Sequence, residues 1–251
     1  MIFCGKTDIG KKRTSNQDSF FTGYLDKNKN VFLAVLCDGM GGAAGGNIAS
    51  TLAADTFKTS LYDKFKKMSD EEMPADSFCE QSLLCACKSA NSALFKKALE
   101  NDDLKGMGTT LVACLIYKDY YYIVNIGDSR LYVFSENKKL SQLTHDHSYV
   151  QLLIDSGKIT PQQALDHPNK NVITRALGIE KEVSADIFKI PVKDNNVLLC
   201  SDGLTNFVSD ETIETILKNK DYDINSASSV LIDTANENGG GDNITVIIIK
   251  Q

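Results

Sequence analysis

Apolar positions along this chain follow two patterns. Near-continuous runs at 31–37, 109–117, 120–126, 130–134, 196–201 and 243–249 are rich in Val, Ile, Leu and Tyr. They predict short strands, several of them buried on both faces. Around 44–66 and 77–100, apolar residues recur at helical spacing with Lys, Asp and Glu between them, which predicts two long helices. A second helix pair is predicted at 210–219 and 224–236, the latter capped by Asn225 or Ser226. Only Lys118-Asp119 separates the runs 109–117 and 120–126, a hairpin-sized gap that makes those strands antiparallel. Antiparallel strands interrupted by helix pairs predict an α+β layered domain rather than a doubly wound parallel sheet. Residues 146–172 break the pattern with short helical signals and His167-Pro168, and read as an insertion over one end of the sheets.

Composition narrows the class. With 251 residues, 42% of them hydrophobic, and only 4 prolines, the chain is expected to form one domain over 1–251 with a sizeable core. No apolar stretch approaches the roughly 20 residues of a membrane helix. The basic residues of MIFCGKTDIGKKR follow the short apolar part, the reverse of a signal peptide. A cytoplasmic protein without a membrane partner is expected. The net charge of -6 disfavours nucleic acid as a partner. Among the seven cysteines, Cys37, Cys114 and Cys200 fall in strand-like runs and Cys79, Cys85 and Cys87 on a helix. No CxxC pair exists, so reduced thiols are expected in place of zinc or disulfides.

Candidate chemistry sits where these runs begin or end. Asp38-Gly39, Gly127-Asp128, Asp202-Gly203 and Gly241-Asp242 each abut an apolar run. A strand end is a rigid mount for a carboxylate, and the glycine permits a tight turn and an exposed carbonyl. One Asp-Gly alone is an ordinary turn. Four of them suggest carboxylates converging on a hard cation such as Mg²⁺ or Mn²⁺, and Asp18 in RTSNQDSF is a fifth candidate. The loop DGMGGAAGG lacks the Gly-Lys-Ser/Thr ending of a P-loop, so nucleotide cradling is not expected.

Eight motifs extend this reading: RTSNQD from Arg13, CDGMGG from Cys37, MGTTLV from Met107, NIGDSRLY from Asn125, LTHDHS from Leu143, ITRALG from Ile173, CSDGL from Cys200 and GDNITV from Gly241. In these the chain resembles, almost end to end, the metal-dependent protein Ser/Thr phosphatases of the PPM group (protein phosphatase type 2C) in their compact bacterial form. The resemblance implies a four-layer α-β-β-α sandwich, two antiparallel sheets flanked by helix pairs, with a flap at about 146–172. It implies two to three Mg²⁺ or Mn²⁺ ions. Asp38 would bridge two of them, with the Gly39 carbonyl on one. Asp202 and Asp242 would hold the other, Asp128 a third, and Asp18 would act through water. The implied partners are phosphoproteins and a counterpart Ser/Thr kinase, with a monomer as the expected state.

The implied reaction is in-line attack of a metal-bridging water on phosphoserine or phosphothreonine, without a phosphoenzyme. Arg13 is the expected phosphate clamp, since a guanidinium binds two phosphate oxygens at once. Arg130, Arg175 and Asp146 are expected to be structural, and His145, His147 and His167 to serve packing or capping. The chain departs from its relatives at the leaving-group acid. Animal members have His where Met40 stands, several bacterial members have His where Ala43 stands, and some have Glu at Gln17. Metal-bound water is the expected proton source. A non-hydrolysing phosphoprotein-binding module is the alternative, disfavoured because Asp38, Asp202 and Asp242 are intact.

Overall fold

The computed structural model describes residues 1–66 and 76–251. In chain order the strands are β1 (Ile2–Asp8), β2 (Asp18–Tyr24), β3 (Val31–Met40), β4 (Gly108–Thr109), β5 (Leu111–Tyr117), β6 (Tyr120–Ile126), β7 (Arg130–Phe134), β8 (Ser141–Gln142), β9 (Asp186–Pro191), β10 (Asn196–Cys200) and β11 (Ile244–Lys250). The helices are α1 (Gly42–Phe65), α2 (Asp76–Glu100), α3 (Tyr149–Asp155), α4 (Pro161–Leu165), α5 (Asp202–Thr205), α6 (Asp210–Lys218) and α7 (Ile224–Glu237). One sheet has the order β1-β11-β10-β7-β8. The other has β2-β3-β5-β6-β9, with β4 on the end of β3. Each pairing is antiparallel, including the hairpin β5–β6, where Tyr117 faces Tyr120.

The near-continuous apolar runs follow from the layering. Along β3, Leu33, Val35 and Cys37 pack toward α1 and α2, while Phe32, Ala34 and Leu36 fill the space between the sheets. β11 does the same, with Val246 and Ile248 toward α6 and α7, and Ile247 and Ile249 between the sheets. A strand with period-2 alternation and helices or a second sheet on each face is apolar throughout. The result is the expected α-β-β-α sandwich, with three stacked apolar layers.

The strands that periodicity left unmarked are β1, β2, β8 and β9, and all four are sheet edges. Edge strands are half-exposed and carry a mixed pattern. The last helix is capped neither by Asn225 nor by Ser226: the Asp223 side chain accepts from the Ser226 backbone N–H at 2.7 Å. Asp38-Gly39 does not end its strand. β3 runs on to Met40 because β4 pairs Gly39 with Thr109 and Met40 with Gly108. Cys37, Cys79, Cys87, Cys114 and Cys200 are buried and form no disulfide with one another. Among the described residues no helix is long and apolar enough to cross a membrane.

Candidate active site

Five aspartates reach one end of the sandwich from five places in the chain. Asp38 lies near the end of β3, and Asp18 stands opposite it on β2. Asp128 follows β6, Asp202 opens α5, and Asp242 precedes β11. A cleft of about 440 Å³ is lined by Asp38, Asp128, Asp202 and Asp242, together with Gly39 and Arg13. Asp18 is not on its wall and lies buried beside Asp38.

The local sequence explains this convergence. A Cβ on Gly203 would lie 2.0 Å from the Asn243 carbonyl oxygen, so only glycine lets the Asp202-Gly203 and Asp242-Asn243 backbones approach so closely. Gly127 turns the chain with φ 109°, which aims Asp128 into the cleft. The two threonines of MGTTLV hold the Asp38 backbone. Thr109 Oγ1 and the Thr110 N–H donate to its carbonyl at 2.8 and 2.9 Å, and its own N–H donates to Thr110 Oγ1 at 3.0 Å. Asn243 pins the loop that carries Arg13. Its Nδ2 donates to the Ile9 and Ser15 carbonyls, and its Oδ1 accepts from the Gln17 N–H at 2.8 Å.

The electrostatics are those of a site awaiting positive charge. Burial pushes Asp38 well above the usual carboxylate range, and Asp18, Asp202, Asp128 and Asp242 push it further. Burial raises Asp18 to about 7 against hydrogen bonds from Thr245 and Ser201. Asp202 rises to about 6 and Asp128 to about 8, again through burial first and neighbouring carboxylates second. Ser201 and Thr245 hydroxyls donate to Asp18 Oδ2 at 2.8 and 2.6 Å, while Asp18 Oδ1 is buried without a partner. Asn206 Nδ2 donates to Asp202 Oδ2 at 2.9 Å. Among the described residues, the counter-charge on the cleft wall is Arg13, whose Nη2 lies 2.7 Å from Asp242 Oδ2.

This donor set fits divalent cations. It is all oxygen, it sets several carboxylates against one another, and two of its carboxylate oxygens, on Asp18 and Asp202, are buried without partners. Among the described residues no three His, Cys, Asp or Glu side chains already close into a finished cage. An open cleft suits Mg²⁺ and Mn²⁺, which keep several waters and take few protein ligands each.

The family profile of protein phosphatase 2C matches residues 4–234. The chain belongs to the protein phosphatase 2C family. A serine/threonine phosphatase stp of Listeria welshimeri is 38% identical over 98% of this chain and 94% of its own length. The crystal structure of the serine/threonine phosphatase Stp1 from Staphylococcus aureus superposes with a TM-score of 0.89 at 36% identity, covering 99% of this chain and 94% of that one. The catalytic domain of the serine/threonine protein phosphatase PstP, solved in complex with two manganese ions, has a TM-score of 0.83 at 35% identity and covers 98% of this chain and 96% of its own.

Within this 2C-type fold the remaining polar residues support the site from outside. Arg130 forks onto Asp146, with Nε 3.1 and 3.0 Å from the two carboxylate oxygens and Nη2 2.7 Å from Oδ2. It pairs with no carboxylate of the cleft. Arg175 donates to Asp186 Oδ1 at 2.8 Å. His147 Nδ1 accepts from the Gly127 N–H at 3.0 Å and so braces the turn bearing Asp128. Burial holds the His147 imidazole below its usual range, consistent with that acceptor role. His145 pairs with Asp155, and His167 accepts from the Asn169 N–H. None of the three lines the cleft. Met40 does, and the side chain of Ala43 lies outside the described residues. Residues 146–172 carry α3 and α4, their ends joined by the Ser148–Ile173 bridge, and Asn171 and Ile173 border the cleft.

Sequence reading passed over Thr109, Thr110, Ser201, Asn243 and Thr245 because a lone hydroxyl or amide has no local signal. Their place inside the MGTTLV, CSDGL and GDNITV motifs was the available hint. Replacing Asp146 by Ala leaves the Arg130 guanidinium half-buried without its carboxylate. Urea unfolding of the Asp146→Ala protein is expected to show a stability loss of about 3 kcal/mol.

Proposed function

We propose that the chain is a metal-dependent protein serine/threonine phosphatase whose chemistry is confined to the cleft between Arg13 and Asp128. The observation that carries this reading is the convergence of four carboxylates, Asp38, Asp128, Asp202 and Asp242, on one oxygen-lined space with an arginine at its rim. Two to three Mg²⁺ or Mn²⁺ ions would be held by Asp38 with the Gly39 carbonyl, by Asp202 and Asp242, and by Asp128 for the third. Bound there, such cations supply a water acidic enough to act as nucleophile at neutral pH and neutralise the charge of the phosphate.

Each residue of the chain then has a separate task. The Asp18 carboxylate, fixed through Oδ2 by Ser201 and Thr245, keeps Oδ1 without a protein partner beside Asp38, where it would act on the site through a buried water. Arg13 offers its guanidinium to the phosphate oxygens. Its contact with Asp242 keeps it at the mouth, and the Asn243-pinned loop limits its excursions. Met40 and the absence of histidine from the cleft wall leave the leaving oxygen to be protonated by water. The partner is a phosphorylated protein segment, made by a Ser/Thr kinase that this phosphatase would oppose. The working unit is a monomer with one domain, and residues 146–172 form the flap beside the cleft.

The test is turnover of p-nitrophenyl phosphate and of a phosphothreonine peptide by purified protein, first with EDTA and then with Mn²⁺. Activity is expected only with metal. A protein that binds the peptide with Mn²⁺ but never hydrolyses either substrate would be the binding module instead. Arg13→Ala is expected to lower kcat/KM by about 10- to 100-fold, mainly through KM, because charge-assisted hydrogen bonds to the phosphate are lost.

A further inference from the structure

A second cleft, of about 550 Å³, adjoins the first and shares Met40, Asn171 and Ile173 with it. Its size is that of a ligand-binding groove. Met40 and Ile179 meet at the junction. A Cβ on Gly108 would come within 2.7 Å of Met40 Cε and 2.9 Å of Ile179 Cδ1, so glycine there lets both side chains pack into one apolar floor. Ile179 remains 43% exposed. The groove's rim carries Glu180 and Glu182, and neither has an ion-pair partner among the described residues. Among the described residues that line it, the one cation is Arg175, which already pairs with Asp186, so the lining itself is left net acidic.

The rim is held in place. Asn91, buried on α2, accepts from the Gly178 N–H at 2.8 Å through Oδ1, and its Nδ2 donates to the Glu180 and Lys181 carbonyls at 3.0 and 3.1 Å. Leu177 exchanges backbone hydrogen bonds with Thr109, the residue that also clamps Asp38. The acidic segment is thus fastened to the same strand end as the reactive cleft. A preorganised groove adds affinity by sparing the ordering of a loop.

We propose that this groove receives the polypeptide flanking the phosphorylated Ser or Thr and selects substrates with a Lys or Arg near it, through Glu180 and Glu182. The inference rests on the phosphatase reading above. Continuity with the cleft favours this occupant, because a few residues of extended chain, at roughly 3.3 Å each, pass from one space to the other. The apolar floor would take an aliphatic stem, and the two carboxylates the cationic head.

The experiment compares two phosphothreonine peptides, one with lysines and one with glutamates in the flanking positions, on the Mn²⁺-loaded protein, with p-nitrophenyl phosphate as a control. The wild type is expected to prefer the lysine peptide in kcat/KM. In the Glu180→Lys/Glu182→Lys double variant its KM should rise roughly five- to tenfold, and less at high salt, as exposed charge pairs allow. A Glu180→Gln/Glu182→Gln variant should show a smaller rise. Turnover of p-nitrophenyl phosphate should be unchanged in both. Equal kcat/KM for the two peptides in the wild type, or no response to charge reversal, overturns the groove assignment while leaving the phosphatase intact. No turnover of p-nitrophenyl phosphate by the wild type would instead remove the reading on which it rests.

Discussion

Replacing Asp38 by Asn is expected to abolish turnover, by at least about 10³-fold in kcat, and at the same time to raise the melting temperature of the EDTA-treated protein. The first effect follows from the position of Asp38. It is the carboxylate closest to the centre of the set, repelled by Asp18, Asp202, Asp128 and Asp242 together. Loss of groups that merely orient a metal ligand lowers activity 10- to 100-fold, and loss of the proposed bridging ligand should exceed that. The second effect follows from burial. An Asp ionises freely in the unfolded chain, while burial and neighbouring carboxylates raise Asp38 in the fold, so above the unfolded value folding takes up protons. Asn has the same shape and takes up none. The gain in stability should therefore grow as pH rises from neutral and vanish below about pH 3, under the unfolded value of 3.8, where Asp is protonated in both states. Calorimetry with EDTA across this range measures it. An unchanged melting temperature at pH 8, or retained Mn²⁺-dependent turnover, would remove Asp38 from the centre of the site.

The metal-free wild type should become less stable as pH rises from about 4 to about 8, and Mn²⁺ should reverse this. Asp202, Asp18 and Asp128 have folded-state pKa values of about 6, 7 and 8, each raised from 3.8. A raised carboxyl leaves stability intact below its unfolded pKa, and that stability is lost as pH climbs through the folded value. Over this window the folded state binds more protons than the unfolded, so the slope of stability against pH is negative. The loss should amount to at least about 5 kcal/mol, or roughly 10 °C or more in melting temperature for a chain of this length. A divalent cation binds only the ionised set, so its stabilising effect should grow with pH. A melting temperature that rises with pH in EDTA, or that Mn²⁺ raises equally at pH 5 and pH 8, would contradict a carboxylate metal site.

The two expectations rest on residues that differ in how visible they were before the fold was known. Asp38, Asp128, Asp202 and Asp242 stood out because each abuts a glycine and an apolar run, and such junctions are written in consecutive residues. Asp18 stood out less, since β2 is an edge strand with a mixed pattern. The hydroxyls that orient it were visible only as members of the CSDGL and GDNITV motifs. Ser201 and Thr245 lie 183 and 227 residues away from Asp18, and nothing in either neighbourhood marks a hydrogen bond across that separation. Arg130 was expected to be structural, and its partner proved to be Asp146 rather than a carboxylate of the cleft.

By itself the sequence determined the central strands, the two helix pairs and the candidate ligands, because burial on both faces and turn chemistry leave period and composition signals within a few residues. It also carried the eight motifs that place the chain in its family. Tertiary structure alone decided that Asp38 lies inside a strand, since that depends on pairing with Gly108 and Thr109. It alone brought the Gly203 and Asn243 backbones into contact, joining Asp202 to Asp242. The acidic groove beside Met40 was likewise beyond the sequence, because its walls come from β3, the flap and the segment after it. Contacts between distant segments are set by which surfaces pack together, and a local pattern records only that a surface is to be buried.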